Sequence, residues 1–145
     1  MATTATTATT RLSDIGDPLR LQRASRRASR IAIKEKGRIV FLVLGNVVAI
    51  QAEGNYVVLQ QETGSYWLRQ SISAIAEKLE PYGFIRIHRS VVVNGSLVEE
   101  LQPHLTGAYR LRLKSGKQYT VTRTYIKNLK SLARIWIGPG TFLTE

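Results

Sequence analysis

Cysteine is absent from this 145-residue chain, and acidic residues are absent from residues 101–144. Without cysteine there is no disulfide framework, no thiolate metal site and no cysteine nucleophile. No apolar run approaches the roughly 20 residues that a membrane-spanning helix needs, and the Thr/Ala-rich start lacks the apolar region of a secretory signal. We therefore expect a soluble, cytoplasmic protein that does not insert into a membrane.

Histidine is nearly as scarce, because His88 and His104 are the only two in the chain. They form no H-x-x-x-H pair, and no carboxylate cluster accompanies them. The sequence therefore offers too few ligands for a metal site. Ser90 lies near His88, but neither an orienting Asp nor a G-x-S-x-G elbow surrounds it. Glycine-rich phosphate loops are missing as well. The sequence therefore predicts a protein that is not an enzyme and uses no metal or other cofactor.

Positive charge is abundant, with a formal net charge of +11. A field of this sign attracts polyanions, and nucleic acid is the commonest of them. The alternative is an all-β interaction module that binds an acidic protein or an anionic membrane surface. The cations of the acid-free stretch are Arg110, Arg112, Lys114, Lys117, Arg123, Lys127, Lys130 and Arg134.

Composition divides the chain into three parts. Residues 1–30 combine a Thr/Ala repeat with the segment R-A-S-R-R-A-S-R, which predicts a mostly disordered basic leader. A phosphate-binding arm, a kinase site at R-R-A-S and a transit peptide remain alternatives for this leader. Residues 31–137 are expected to fold as one domain, and residues 138–145 to form a C-terminal tail.

The folded part begins with short β-branched runs separated by tight turns. Turn signals at Gly45-Asn46, Gly54-Asn55 and Thr63-Gly64 predict an antiparallel meander. Ser71 can cap a short helix that Pro81-Tyr82-Gly83 would end. The apolar face of that helix consists of Ile72, Ile75, Ala76 and Leu79.

Residues 84–94 read as a buried strand interrupted by a charge. Ile85, Ile87, Val91 and Val93 share one face by parity, and Arg89 falls on that same face. Burying an unpaired guanidinium would be prohibitive. We therefore expect the backbone to bend at residues 88–90 and to release the Arg89 side chain outward.

The C-terminal third combines a predicted hairpin with a predicted helix. The hairpin turns at Ser115-Gly116, with a dry side and a cationic side formed by Arg110, Arg112 and Lys114. From Thr124 the period becomes helical. The expected apolar face of the helix consists of Tyr125, Leu129, Leu132 and Trp136, and the basic stripe opposite consists of Arg123, Lys127, Lys130 and Arg134.

Four separated motifs resemble the LytTR DNA-binding domain. They are A-E-G-N-Y-V (52–57), L-R-Q-S-I (68–72), F-I-R-I-H-R-S-V-V-V-N (84–94) and Y-T-V-T-R-T-Y (119–125). The resemblance covers residues 31–137. It implies a predominantly β fold with about ten short, mostly antiparallel strands in small packed sheets and one or two short helices. It also implies that loops, rather than a recognition helix, meet the DNA.

The resemblance further implies a bacterial transcriptional regulator. Family members place loops in successive major grooves and usually recognise direct repeats in double-stranded DNA as paired subunits, so a homodimer on DNA is expected. Many carry an amino-terminal receiver domain, whereas only about 30 residues precede the domain here. A stand-alone regulator, a fragment of a longer protein, and a regulator controlled by an upstream sensor or a sequestering partner all remain open.

The resemblance and the charge pattern together nominate a set of DNA contacts. Asn55 and Tyr56 match the first turn of the family. Arg89 matches the H-R-S bend, and Arg123 follows the last strand. Whether the two arginines read bases or hold phosphates is open. His88 is expected first of all to be a hydrogen-bonded structural residue. The complete set is Arg89, Arg123, Asn55, Tyr56, His88, Lys117, Lys127 and Lys130.

Overall fold

The computed structural model describes residues 29–143. Most of the predicted leader and the last two residues of the predicted tail lie outside this range. The described strands are β1 (Arg30–Glu35), β2 (Arg38–Val43), β3 (Val47–Glu53), β4 (Tyr56–Gln61), β5 (Gly64–Leu68), β6 (Phe84–His88), β7 (Val91–Asn94), β8 (Val98–Pro103), β9 (Tyr109–Leu113) and β10 (Gln118–Val121).

Helical structure in residues 29–143 consists of short segments. The α-helix α1 spans Ile72–Leu79. The remaining turns are 3-10 segments at Leu44–Asn46, Glu80–Tyr82, Gly95–Leu97, Leu105–Gly107 and Arg123–Leu132. The last of these is called the C-terminal 3-10 segment below.

The strands form three antiparallel sheets. A central five-stranded sheet has the order β5-β4-β3-β7-β6, β1 and β2 form a two-stranded ribbon, and β10-β9-β8 form a third sheet. The prediction of a predominantly β domain built from small antiparallel sheets and short helices is confirmed.

Both faces of the central sheet are buried, each in its own hydrophobic core. On one face, Ile50 and Leu59 of the sheet pack with Leu42 of the ribbon and Ile75 of α1. On the other face, side chains from β3, β6 and β7 pack with the third sheet and with the C-terminal 3-10 segment. The fully buried members of this second core are Ala49, Ile87, Val93, Leu111, Leu113, Val121 and Leu129. The strands β3 and β7 are therefore apolar on both faces, as in a three-layer arrangement.

Helix α1 follows its sequence signals closely. The Ser71 side chain accepts a hydrogen bond from the Ala74 N–H at 3.0 Å, which caps the helix start. Ile72, Ile75 and Leu79 are buried. The helix ends before Pro81, and the chain leaves through Gly83 at φ 91°, a left-handed conformation that favours glycine.

Two of the three predicted turns of the meander join the expected strands. Glu53 pairs with Tyr56 across Gly54-Asn55, and Gln61 pairs with Gly64 across the next turn. The third prediction was wrong, because Gly45-Asn46 does not join β2 to β3 in a hairpin. β2 instead pairs with β1 across Lys36-Gly37, whose φ values of 54° and 79° match the twist of a two-residue hairpin turn.

The C-terminal third also departs from the sequence pattern. Residues 123–132 form a 3-10 segment rather than the expected α-helix, so side chains three apart share a row. Ile126, Leu129 and Leu132 form the packed row. Trp136 lies beyond the segment, stacked on Phe142 with ring centroids 5.5 Å apart.

The predicted β9–β10 hairpin is present, but its polar face is less cationic than its sequence suggests. Arg112 Nη1 lies 2.9 Å from Glu99 Oε1, and Arg112 Nε lies 3.0 Å from Glu100 Oε1. Hydrogen bonding to Glu100 and then to Glu99 raises the pKa of Arg112. These two carboxylates come from β8, just before the acid-free stretch begins, and pairing of β8 with β9 places them beside Arg112.

Candidate nucleic-acid interface

Two turns of the central sheet lie at the same edge. β3 and β7 pair with Gln51 opposite Val91, and the Ala52 N–H donates to the Ser90 carbonyl at 2.9 Å. The β3–β4 turn at residues 54–55 and the β6–β7 turn at residues 89–90 therefore leave the sheet side by side. We call this edge of the molecule the loop edge.

Three further segments reach the loop edge. β5 ends there, because Leu68 pairs with Val57, and exposed Arg69 follows. The C-terminal 3-10 segment starts there, because the Thr122 N–H donates to the Ile87 carbonyl at 3.1 Å. The 104–108 loop joins them through contact with the first residue of that segment, Arg123. Five chain segments thus meet at one edge.

Arg89 lies at the tip of a hairpin. The chain reverses at Arg89-Ser90, and β6 and β7 pair with His88 opposite Val91. The expected bend within one strand was therefore wrong in form, since two strands meet at a tight turn. It was right in consequence, because Arg89 is exposed. Within residues 29–143 the Arg89 side chain makes no hydrogen bond or ion pair, so its guanidinium is available to a ligand.

Arg86 holds this turn from behind. Its guanidinium donates to the His88 carbonyl at 3.3 Å, to the Arg89 carbonyl, and to Ser73 Oγ at 2.9 Å. The same guanidinium lies 5.4 Å from the centroid of the Tyr125 ring, within cation–π range. Arg86 therefore ties the turn to α1 and to the C-terminal 3-10 segment. The bulge between Arg86 and His88 is where β6 leaves regular pairing.

His88 braces the same turn. The Ser90 N–H donates to His88 Nδ1 at 3.1 Å, and Ser90 Oγ lies 2.9 Å from the same nitrogen. Because a backbone N–H only donates, Nδ1 accepts, and the neutral ring carries its proton on Nε2. The half-buried imidazole therefore has a structural role within the turn, as expected from the sequence. Direct contact of His88 with DNA stays a prediction.

Arg123 is exposed and packs on the backbone of the neighbouring loop. A methyl group placed at Gly107 would lie 3.1 Å from both Cδ and Nε of Arg123. Gly107 also has φ 81°, so a glycine is favoured there for two reasons. The Arg123 stem is therefore supported along its length while its guanidinium stays at the surface.

Asn55 and Tyr56 lie at the β3–β4 turn, and both are exposed. The Tyr56 ring meets Trp67 edge-on, with centroids 6.2 Å apart and an interplanar angle of 65°. Trp67 is itself half exposed, at 50%. Glu53 is an exposed acidic residue beside this turn, so the β3–β4 end of the loop edge is less positive than the end that carries Arg89.

The predicted lysine contacts divide into two groups. Lys127 and Lys130 are exposed, and together with Thr124 they form a row of the C-terminal 3-10 segment. Lys117 lies at the other end of β10, where Lys117 Nζ donates to Gln60 Oε1 at 3.1 Å. The structure therefore brings Asn55, Tyr56, His88, Arg89 and Arg123 to one edge, with the two lysines of the segment alongside, and separates Lys117 from them.

Sequence reasoning missed two arginines. Arg69 lies within the L-R-Q-S-I motif, and Arg86 lies three residues before Arg89 in the third motif. Arg69 could have been found from its place in that motif, directly after a predicted strand. No sequence signal identifies Arg86 as the residue that holds the turn, because its partners come from three separate elements.

Comparison with known proteins gives three consistent results. A model of the LytTr DNA-binding domain matches residues 37–134, which is more than half of the chain. The chain belongs to the LytTr DNA-binding domain family. It is 33% identical over 106 residues to the sensory transduction protein LytT of Bacillus subtilis, which covers 73% of this chain and 44% of LytT. It is 26% identical over 112 residues to the transcriptional regulatory protein YpdB of Escherichia coli, which covers 77% of this chain and 46% of YpdB.

The LytTr fold is also seen in a solved structure. A LytTr DNA-binding domain from Bacillus cereus superposes with a TM-score of 0.62 at 20% identity, covering 72% of this chain and 95% of that domain. This likeness shows a shared fold. The chain spans less than half the length of LytT and YpdB.

Between residues 29 and 143 no group of three or more His, Asp or Glu side chains is arranged to hold a metal ion. Over the same residues no helix has the length and apolar character needed to cross a membrane.

Proposed function

We propose that this protein is a bacterial, cytoplasmic regulator of transcription that binds specific sequences in double-stranded DNA through its loop edge. Membership in a family of DNA-binding domains supports DNA as the ligand. The relatives LytT and YpdB are named as a sensory transduction protein and a transcriptional regulatory protein, which supports a regulatory role. The finer proposal is that the turns at 54–55 and 89–90 enter the major groove.

Arg89 is the observation that carries this proposal. It is an exposed arginine at the tip of a hairpin, without an internal partner in the described residues, on a turn held by Arg86. An arginine fixed in this way can form two hydrogen bonds with guanine or hold a phosphate. Arg123 supplies a second such group at the same edge, and Lys127 and Lys130 extend the positive charge along the C-terminal 3-10 segment.

Selection of bound sequences from a random duplex pool tests the proposal as a whole. We expect enrichment of a direct repeat, because paired subunits would place two loop edges along one duplex. The affinity for a selected duplex should fall with salt, with a slope of log affinity against log salt of about −0.9 for each phosphate contacted. A scrambled duplex should compete poorly. Equal competition by scrambled DNA would remove the proposed specificity and favour the alternative of a general polyanion-binding module.

Substitution of the two arginines tests the role of the loop edge. Arg89→Ala and Arg123→Ala should each weaken specific binding by about 1 to 3 kcal/mol if the side chain reads a base. A phosphate contact would instead weaken binding to all duplexes similarly. The slope of log affinity against log salt would then become less steep by about 1, the value for one phosphate contact. Lys114→Ala is the matched control, because it removes the same charge at the β9–β10 turn. A large fall in melting temperature for Arg89→Ala would show a structural arginine and contradict the proposal.

A further inference from the structure

A cleft lies on the side of the molecule that carries the β1–β2 ribbon and α1. Its volume is about 490 Å³, within the range of about 300 to 1,000 Å³ typical of ligand sites. One wall is β1 and the other is α1 with the chain that leads into it. Leu59, Leu68, Ile75 and Leu79 give the cleft an apolar floor.

The rim of the cleft is positive on both walls. Lys34 lies on the β1 wall, and Arg69 and Lys78 lie on the α1 wall. Arg30 also lines the cleft, but its guanidinium lies over the exposed Phe41 ring, 5.4 Å from the ring centroid. All four are exposed, and no Asp or Glu is among the described residues that line the cleft. Cations placed along two walls favour a ligand with several negative charges spread along its length over a ligand with a single charged head.

The β1 wall is also the edge of a sheet. Within the described residues β1 pairs with β2 alone, so the opposite edge of β1 carries no strand. An edge strand with unpaired backbone groups is the feature to which an extended peptide adds by forming main-chain hydrogen bonds. β1 has six residues, and a peptide strand of that length extends about 20 Å.

We propose that this cleft binds an extended acidic segment of a partner protein, in which apolar residues alternate with Asp or Glu. The segment adds to the free edge of β1 as a further strand. Its apolar side chains, on one face of the strand, fill the space above Leu59 and Ile75. Its carboxylates lie toward Lys34 and Lys78 at the rim.

Three other occupants, namely residues 1–28, a second copy of this chain and DNA, fit the cleft less well. Residues 1–28 of this chain carry five arginines against Asp14 and Asp17, so the leader has the same sign of charge as the rim. A second copy brings the same net charge of +11, which repulsion opposes. DNA offers phosphates to the rim but no apolar side chains to the floor.

A short synthetic peptide that alternates Glu with Leu and Val is the probe. Binding to the full-length protein is measured by fluorescence anisotropy, and the site is located by NMR chemical shifts of the backbone amides. We expect shifts concentrated in β1 and α1. A peptide of the same composition with its acidic and apolar residues in two separate blocks, and a peptide with Lys in place of Glu, should both bind at least about tenfold more weakly.

The double variant Lys34→Glu with Lys78→Glu reverses one charge on each wall. It should weaken binding of the alternating peptide by at least about tenfold. The matched control is Lys114→Glu with Arg134→Glu, which changes the net charge equally at exposed positions outside the cleft. This control should retain most of the peptide affinity. Both double variants are checked for folding by circular dichroism, and loss of peptide binding counts only for a folded protein.

Several results would overturn the proposal. Equal binding of the alternating and block peptides would rule out that the peptide adds to β1 as a strand. Equal weakening of peptide binding by the two double variants would show that only the net charge of the protein matters. Shifts centred on the loop edge would show that the peptide only mimics DNA. Stronger binding to phosphatidylglycerol vesicles than to the peptide, lost in the Lys34/Lys78 variant, would identify the cleft as a lipid site. DNA binding is measured in parallel on the same variants, so failure of this proposal is distinguished from failure of the proposed DNA-binding function.

Discussion

Arg86 and Arg89 lie three residues apart and have different roles: Arg86 bonds within the protein, and Arg89 is exposed. Arg89 is exposed at the tip of the hairpin and has no internal partner within residues 29–143. The Arg86 guanidinium donates hydrogen bonds to the His88 and Arg89 carbonyls and to Ser73 Oγ. A planar guanidinium with five donors in a fixed geometry can serve several acceptors at once, whereas a lysine ammonium cannot hold the same three in place.

Arg86→Lys tests this positioning role because it keeps the charge. We expect the affinity for a specific duplex to fall about three- to tenfold, since hydrogen bonds to charged groups contribute about 1.5 to 3 kcal/mol and part of that sets the turn. The salt slope should stay unchanged, because no phosphate contact is removed. Fluorescence anisotropy over a salt series measures both quantities. An altered slope with an unchanged affinity at the reference salt would contradict a positioning role.

Asn94, in the same motif as Arg89, has a structural role. It is 3% exposed, and its amide donates to the Val47 carbonyl at 2.9 Å while its Oδ1 accepts from the Ser96 N–H at 3.1 Å. Asn94→Ala should lower the free energy of unfolding by about 2 kcal/mol, because buried polar groups lose their partners. Urea denaturation measures the loss.

The control for Asn94 is Asn46→Ala, since Asn46 is exposed. Its effect should stay within about 0.5 kcal/mol. The folded Asn94→Ala protein should keep its specific DNA affinity. Loss of specific binding without loss of stability would show that Asn94 contacts DNA after all.

At the scale of elements, one buried carboxylate adds a hydrogen bond to the apolar packing between the β1–β2 ribbon and the central sheet. Glu35 is 8% exposed, and its Oε2 accepts a hydrogen bond from the Trp67 N–H of β5 at 3.1 Å. Trp67 lies on β5, an edge strand of the central sheet, so among the described residues this backbone N–H faces no neighbouring strand. Arg38 Nη2 lies 3.5 Å from Glu35 Oε1 but is largely exposed, so the ion pair contributes little.

Substitution of Glu35 separates these two contributions. Glu35→Ala should lower the free energy of unfolding by about 1 to 3 kcal/mol and speed hydrogen exchange at the Trp67 amide, because that amide loses its acceptor. Glu35→Gln keeps a carbonyl oxygen and should recover most of the loss. Equal losses for the two variants would assign the effect to the Arg38 ion pair instead.

The elements also show where sequence periods mislead. The α1 cap, its apolar face and its stop all lie within about twelve residues, and all were predicted from local signals. The C-terminal 3-10 segment was predicted as an α-helix, because the two forms share apolar residues at similar spacing. In the 3-10 form, Ile126, Leu129 and Leu132 lie in one row, and this row packs on the central sheet. Residues 123–132 are helical as predicted, but in the 3-10 form the basic row contains only Lys127 and Lys130.

At the scale of the whole molecule, Tyr119 links the third sheet to the central sheet. Its hydroxyl donates to Gln60 Oε1 at 3.3 Å, and burial raises the pKa of Tyr119. Between the unfolded pKa of about 10 and the higher folded pKa, the folded protein holds a proton that the unfolded chain has lost. The stabilising effect of the neutral hydroxyl is therefore complete at neutral pH and is lost as pH rises through that interval.

Tyr119→Phe tests this dependence. The variant should be less stable by about 1 kcal/mol at neutral pH, since it lacks the hydrogen bond to Gln60. Its stability should fall less steeply than that of the parent protein above about pH 10, because the titrating group is gone. Urea denaturation at several pH values gives both quantities. Parallel stability curves over the alkaline range would contradict the proposed titration of Tyr119.

The sequence alone determined the features that depend on neighbouring residues. Parity along residues 84–94 required Arg89 to leave the buried face, and turn and cap residues defined three hairpins and α1. Tertiary structure decided the features that depend on which strands meet. The attachment of the β1–β2 ribbon to β5, the pairing of Arg112 with Glu99 and Glu100, and the hydrogen bond of Arg86 to Ser73 all join residues from separate elements. The distance of Lys117 from the loop edge likewise depends on how the sheets pack. Local periods fix the faces of a strand, but the partner of each face is chosen by long-range packing.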